Sequence, residues 1–164
     1  MRFLLSLSIA MGFLAASGMA RAEDVLTTKN IGMELARDLA SDAIKACRAK
    51  GYQVSAVVVD RNGLVRAALR DDLAARFSLK IAEDKANAAI MSGIDSGEFV
   101  KQRQDIRMEL DNVDGILMLE GGVVINAGGY RIGALGVSGA PGGDKDAACA
   151  KKAVKDQQMR MEFN

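Results

Sequence analysis

The sequence predicts an α+β domain, an antiparallel sheet of about five strands flanked by helices. Three observations carry this. Short apolar runs at 54–60 and 64–69 are joined by Arg61-Asn62-Gly63, and Asn-Gly between apolar runs is a strong hairpin cue. A second pair of runs, 123–125 and 132–137, is joined by a glycine-rich turn. Apolar residues recur at three- and four-residue spacing in several longer segments, as on amphipathic helices. Hairpins and helices come in separate blocks rather than in strand-helix-strand alternation, which selects α+β.

Residues 1–22 read as an export leader. Arg2 gives a positive start, 3–16 is an apolar core, and Ala20-Arg21-Ala22 fits the small-x-small cleavage rule. The apolar run is too short for a permanent membrane span, so no stable membrane anchor is expected. Cleavage after Ala22 would release a single domain, 23–164, into the periplasm or the medium.

The first mature element is a helix. Thr27 and Thr28 offer caps, Ile31, Leu35, Leu39, Ala43 and Ala46 share a face, and Gly51 stops it. The hairpin follows. Its first strand holds Val57, Val58 and Val59, apolar toward both faces, so it belongs in the middle of the sheet. Its second strand carries Arg66 and Arg70, which suits a more exposed place. Asp71 and Asp72 end the hairpin. A second helix spans about 78–92, with Leu79, Ala82, Ala86, Ala89 and Ile90 inward and alanines small enough for close packing. Ser96 opens a third helix with Phe99, Val100, Ile106 and Leu110. The run 116–119 reads as a short strand, and a last helix covers about 145–159. The order is helix, two strands, two helices, three strands, helix.

The stretch 121–146 holds nine of the 17 glycines. Gly133 and Gly136 lie inside a strand, where glycine marks a bulge or the close approach of a backbone or a ligand. Ser138 to Gly143 forms a loop feeding a helix, where unpaired N–H groups collect and could hold an anion. The plainer reading is a tight connection with Asp144 and Asp146 as favourable helix N-terminal charges.

Without the leader the chain has 20 basic and 21 acidic residues. It offers no basic excess for nucleic acid or anionic lipid. There is no tryptophan and only two tyrosines, too few for base stacking. Histidine is absent, which removes His-based triads, the usual zinc sites and the commonest haem ligand. Cys47 and Cys149 are the two cysteines, and an oxidising compartment favours a bridge between them.

Several blocks resemble the GlcG/HbpS family of haem-binding-like domains, also related to the C-terminal domain of PduO-type cobalamin adenosyltransferases. They are Val57-Val58-Val59-Asp60-Arg61-Asn62-Gly63, Asp71-Asp72, Ile81-Ala82-Glu83-Asp84-Lys85-Ala86 and Gly121-Gly122-Val123-Val124-Ile125. The most specific is Ile132-Gly133-Ala134-Leu135-Gly136-Val137-Ser138-Gly139-Ala140-Pro141, followed by Asp146-Ala147 and Cys149-Ala150. The resemblance implies a profilin-like sheet with flanking helices and a homo-oligomer. It implies haem or a related tetrapyrrole as ligand, and a membrane sensor or exported protein as partner.

The residues put forward for ligand binding are Lys85, Asp71, Gly121, Gly122, Gly133, Gly136, Ser138 and Gly139. Lys85 matches a recurrent family lysine. Buried, it could act as a base or nucleophile; otherwise it pairs with an acid such as Asp60, Asp71 or Asp72. Asp60 reads as a turn cap. If haem binds, Tyr52 and Tyr130 are candidate iron ligands, with Met108, Met118, Met159 and Met161 behind them. Each also reads as ordinary packing. Three functions are open: an exported tetrapyrrole-binding protein, a cofactor-free interaction module, or a small enzyme using Lys85 with an aspartate.

Overall fold

The computed structural model describes residues 25–162. The expected leader, 1–22, lies outside the described residues. Extended chain reaches Ile31, whose N–H bonds the Ile132 carbonyl at 3.1 Å. Helix α1 then runs Met33–Arg48. Strands β1 (Ser55–Asp60) and β2 (Val65–Arg70) form the first hairpin. Helix α2 is Ser78–Ser92 and α3 is Ser96–Gln102. A 3₁₀ turn (Gln104–Ile106) and a short helix α4 (Arg107–Leu110) follow. The glycine hairpin is β3 (Gly122–Ala127) and β4 (Tyr130–Ser138). The chain closes with α5 (Gly143–Asp156) and α6 (Gln158–Glu162).

The four strands pair antiparallel in the order β2-β1-β4-β3. Every residue of β1 is buried, as its triple valine requires. Its side chains alternate between two apolar layers. Ala56 and Val58 join α1 and α5 on one face, while Val57 and Val59 meet α2 on the other. The first and last long helices therefore lie together on one face. There Cys47 and Cys149 are joined, with Cα atoms 5.4 Å apart and 102 residues between them. Closing a loop of that size removes unfolded-state entropy worth about 4–5 kcal/mol in the chain-entropy model.

The glycines of β3 and β4 fit the α2 face. A Cβ at Gly136 would lie 1.8 Å from the Ala82 carbonyl oxygen, and one at Gly122 would lie 2.0 Å from that of Lys85. Bare strand backbone thus receives bare helix backbone, and the alanines of α2 let it settle there.

Three sequence expectations need correction. The sheet has four strands, not five. The segment 116–119 is apolar because Met118 is buried against Ala88 and Phe99, not because it joins the sheet. Its backbone N–H groups find partners off the sheet: Met118 N–H donates to Asp111 Oδ1 at 3.0 Å, Leu119 N–H to the Leu117 carbonyl at 2.8 Å, and Leu117 N–H to the Asp84 carbonyl of α2 at 3.4 Å. The third helix breaks at Arg103, whose φ of −120° and ψ of 42° leave the helical region, so Ile106 and Leu110 sit on separate short turns. The first helix begins at Met33, after Thr27 and Thr28, because Ile31 is committed to β4. Among the described residues no helix is long and apolar enough to cross a membrane.

Candidate functional site

Lys85 points from the middle of α2 into the seam between the end of β4 and the start of α5. Its Nζ donates to Asp146 Oδ2 at 2.8 Å and to the Val137 carbonyl at 3.2 Å. Both side chains are almost wholly buried, at 3% and 4% exposure. The second carboxylate oxygen, Asp146 Oδ1, accepts the Ala140 N–H at 2.9 Å. Burial pushes the Asp146 carboxyl above its ordinary range; Lys85 and the Ala140 N–H pull the other way, and burial prevails. Gly121, at φ +131°, passes over the amine, where a Cβ would lie 2.9 Å from Nζ. The partner of Lys85 is therefore Asp146, not Asp60, Asp71 or Asp72.

The other acids are occupied elsewhere. Asp60 caps the hairpin turn, accepting the N–H groups of Asn62 and Leu64 at 2.9 and 3.1 Å. Burial would raise its pKa, but these bonds, the Asn30 amide and Arg66 together lower it. Asp71 is buried against Arg48, whose guanidinium, aided by the Asp72 N–H, holds the carboxyl below its ordinary value against the effect of burial. Ser138 is buried at the β4 terminus opposite Ser55. Gly139, at φ +133°, runs beside Gln53, whose carbonyl oxygen a Cβ would approach to 2.6 Å. Gly133 likewise faces the Val59 carbonyl. The structure thus gathers Lys85, Gly121, Gly122 and Gly136 around α2, and leaves Asp71 beside α1.

Two of the clefts that border these elements bear on the site. A polar one of about 200 Å³ lies beyond Gly122 and Ala147, between α3 and α5. Lys151 crosses it to Asp95 at 3.2 Å, and Asp95 also accepts the Val124 N–H. The other, about 450 Å³, lies between the start of α1, the β3–β4 hairpin and α6. Ile31, Leu35, Ile132 and Met161 give it apolar walls; Lys29 and Arg160 bring positive charge, Arg160 being paired with Asp38 at 2.7 Å, and Glu34 brings a carboxylate. Lys29 also stands over the Tyr130 ring, 5.3 Å from its centre, so Tyr130 is at this mouth. Tyr52 follows the far end of α1, roughly 20 Å away by the helical rise. Met118 is sealed in the core, while Met108 and Met159 are exposed. Among the described residues no group of three His, Cys, Asp or Glu could hold a metal ion.

Sequence reasoning missed two members of the Lys85 seam. Asp146 carried a readable signal: Cys149, Ala150 and Ala153 follow it at helical spacing and are buried, so it shares their inward face. Ser96, whose hydroxyl accepts the Gly122 N–H and donates to the Leu119 carbonyl, both at 2.8 Å, carried none, because serine before a helix reads first as a cap.

Fold and seam define a class: a small α+β domain in which two glycine-bearing strands receive a helix backbone and a buried lysine–aspartate pair locks the helix down. The chain belongs to the HbpS-like family, whose sequence model, described as haem degrading protein HbpS-like, matches residues 31–155. HbpS from Streptomyces reticuli, solved as a double mutant, superposes with a TM-score of 0.77 at 32% identity, over 87% of this chain and 97% of that one. The ORFY protein of Klebsiella pneumoniae gives 0.76 at 25% identity, over 83% and 96%. The PduOC domain, solved in complex with haem, gives 0.70 at 22% identity, over 77% and 94%; that likeness is one of fold. Comparison with curated proteins finds no match.

Proposed function

We propose that this chain is an exported protein that binds haem or a related tetrapyrrole in the cleft between α1, the glycine hairpin and α6. The observation that carries the reading is that cleft's lining, in a chain of a family described by haem. Its 450 Å³ falls in the size range of small-molecule sites. The residues present fit a partly exposed porphyrin. Ile31, Leu35 and Ile132 would cover an apolar edge, and the Lys29 ammonium would pair with a propionate. Tyr130, exposed at the mouth, supplies a phenol, a haem ligand in a chain without histidine; the Met161 thioether lies in the cleft wall and is 3% exposed. Bound haem would supply the iron; this chain supplies the wall, the cation and the orientation. Titration with hemin tests the reading, with a saturable Soret band expected and a free-hemin spectrum throughout overturning it.

The enzyme alternative loses its amine, because Lys85 is consumed inside a buried pair. Export is supported by the leader pattern and by the Cys47–Cys149 bridge, which suits an oxidising compartment. Self-association is supported by the edge strand β2, whose first residue Val65 is exposed, by exposed Leu64 in the turn before it, and by exposed Leu73 and Phe77 after it. An exported or membrane-bound partner of such an oligomer is the corresponding proposal for signalling. Native mass spectrometry of periplasmic material reads both points: subunits beginning at Glu23 in a complex of several copies are expected. A full-length monomer would contradict both.

A further inference from the structure

A third cleft, of about 360 Å³, lies on the opposite side of the sheet from the α1 layer, between the β1–β2 turn, the second half of α2 and the loop 114–116. Its floor is the Asn87 side chain. The amide is fixed, since Nδ2 donates to the Gly115 carbonyl at 3.0 Å. That leaves Oδ1 buried and accepting nothing, which is uncommon for a buried carbonyl oxygen. Two left-handed glycines stand on either side of this amide. A Cβ at Gly63 would lie 3.6 Å from Oδ1, and one at Gly115 would lie 3.8 Å from Nδ2. The turn glycine that permits the hairpin also keeps a side chain off the oxygen.

The rim carries one charge of each sign. Arg61 and Asp114 are both exposed, and neither forms a salt bridge among the described residues. Lys80 influences Asp114 electrostatically but is itself paired with Asp84. Ile90, Met91 and Ile116 form an apolar wall beside them. We infer that this cleft binds a free α-amino acid with an apolar side chain. The guanidinium of Arg61 takes the carboxylate, for which its fork is matched. The ammonium donates to Asn87 Oδ1 and pairs with Asp114. The side chain lies along Ile90 and Ile116. The site shares no lining residue with the cleft proposed for haem, so either can fail alone.

Calorimetric titration with L-leucine tests this. Saturable binding is expected, weakened at least tenfold in Arg61→Gln and in Asp114→Asn. Both positions are exposed, so circular dichroism should show both variants folded. 4-Methylpentanoate, which lacks the ammonium, and isopentylamine, which lacks the carboxylate, should each bind at least tenfold more weakly than leucine. No saturable heat with leucine, equal binding of either truncated probe, or unchanged affinity in both variants would overturn the inference and leave Oδ1 to water alone.

Discussion

Lys85→Met is expected to lower stability by about 3–5 kcal/mol, the usual cost of stranding one partner of a buried ion pair. The substitution keeps length and apolar stem but leaves the Asp146 carboxylate buried with the Ala140 N–H as its remaining donor. The pair joins α2 to the start of α5 across the end of β4, so its loss loosens both helix layers at one corner. Lys85→Met combined with Asp146→Leu removes both charges, and buried pairs replaced by apolar groups are often neutral. The double variant should therefore be more stable than the single one. Urea midpoints with the disulfide intact read the difference. A single variant as stable as the parent, or a double variant worse than the single, would show that the amine is not held as described.

Gly136→Ala is the second large effect. One methyl is added, but the atoms it meets are backbone: the Ala82 carbonyl oxygen at 1.8 Å and the Ala86 nitrogen at 2.9 Å. Backbone in the middle of a helix cannot turn aside, so α2 must lift from the sheet. Overpacking commonly costs 1–3 kcal/mol, and here about 3 kcal/mol or more is expected. Gly32→Ala is the control, since nothing lies within 4 Å of its added carbon and its φ of −78° suits any residue. A shift in midpoint no larger for Gly136→Ala than for Gly32→Ala would mean that the helix does not rest on this strand.

These two sites show what the sequence made legible. Glycine inside a strand marked a bulge or the close approach of a backbone or a ligand, and at Gly136 the structure identifies the approaching group as the backbone of α2. Alanine at 82, 86 and 89 was the matching half of that message. The buried central strand was readable from three consecutive valines, and the disulfide from the compartment implied by the leader. The strand expected at 116–119 was not a strand, because apolar residues that pack beside a helix look the same in sequence as those that pack in a sheet. Helix α3 was overextended for a related reason: Ile106 and Leu110 keep the helical rhythm after the backbone has turned at Arg103. The partner of Lys85 was missed because a first-turn aspartate satisfies a local rule, and a local explanation hides a distant one. The apolar cleft was unreadable, since its wall draws on the chain before α1, on β4 and on α6, which only the tertiary fold brings together.

Hemin titration of the chain beside Lys29→Glu and Arg61→Gln bears most directly on the proposed function. A Soret band saturating near one hemin per chain is expected, roughly tenfold weaker in Lys29→Glu, the loss of about 1.4 kcal/mol for a propionate contact turned repulsive. Arg61→Gln, at the other cleft, should bind as the parent does. No saturable band, or a band indifferent to Lys29→Glu, would contradict the placement of a tetrapyrrole between α1 and the glycine hairpin.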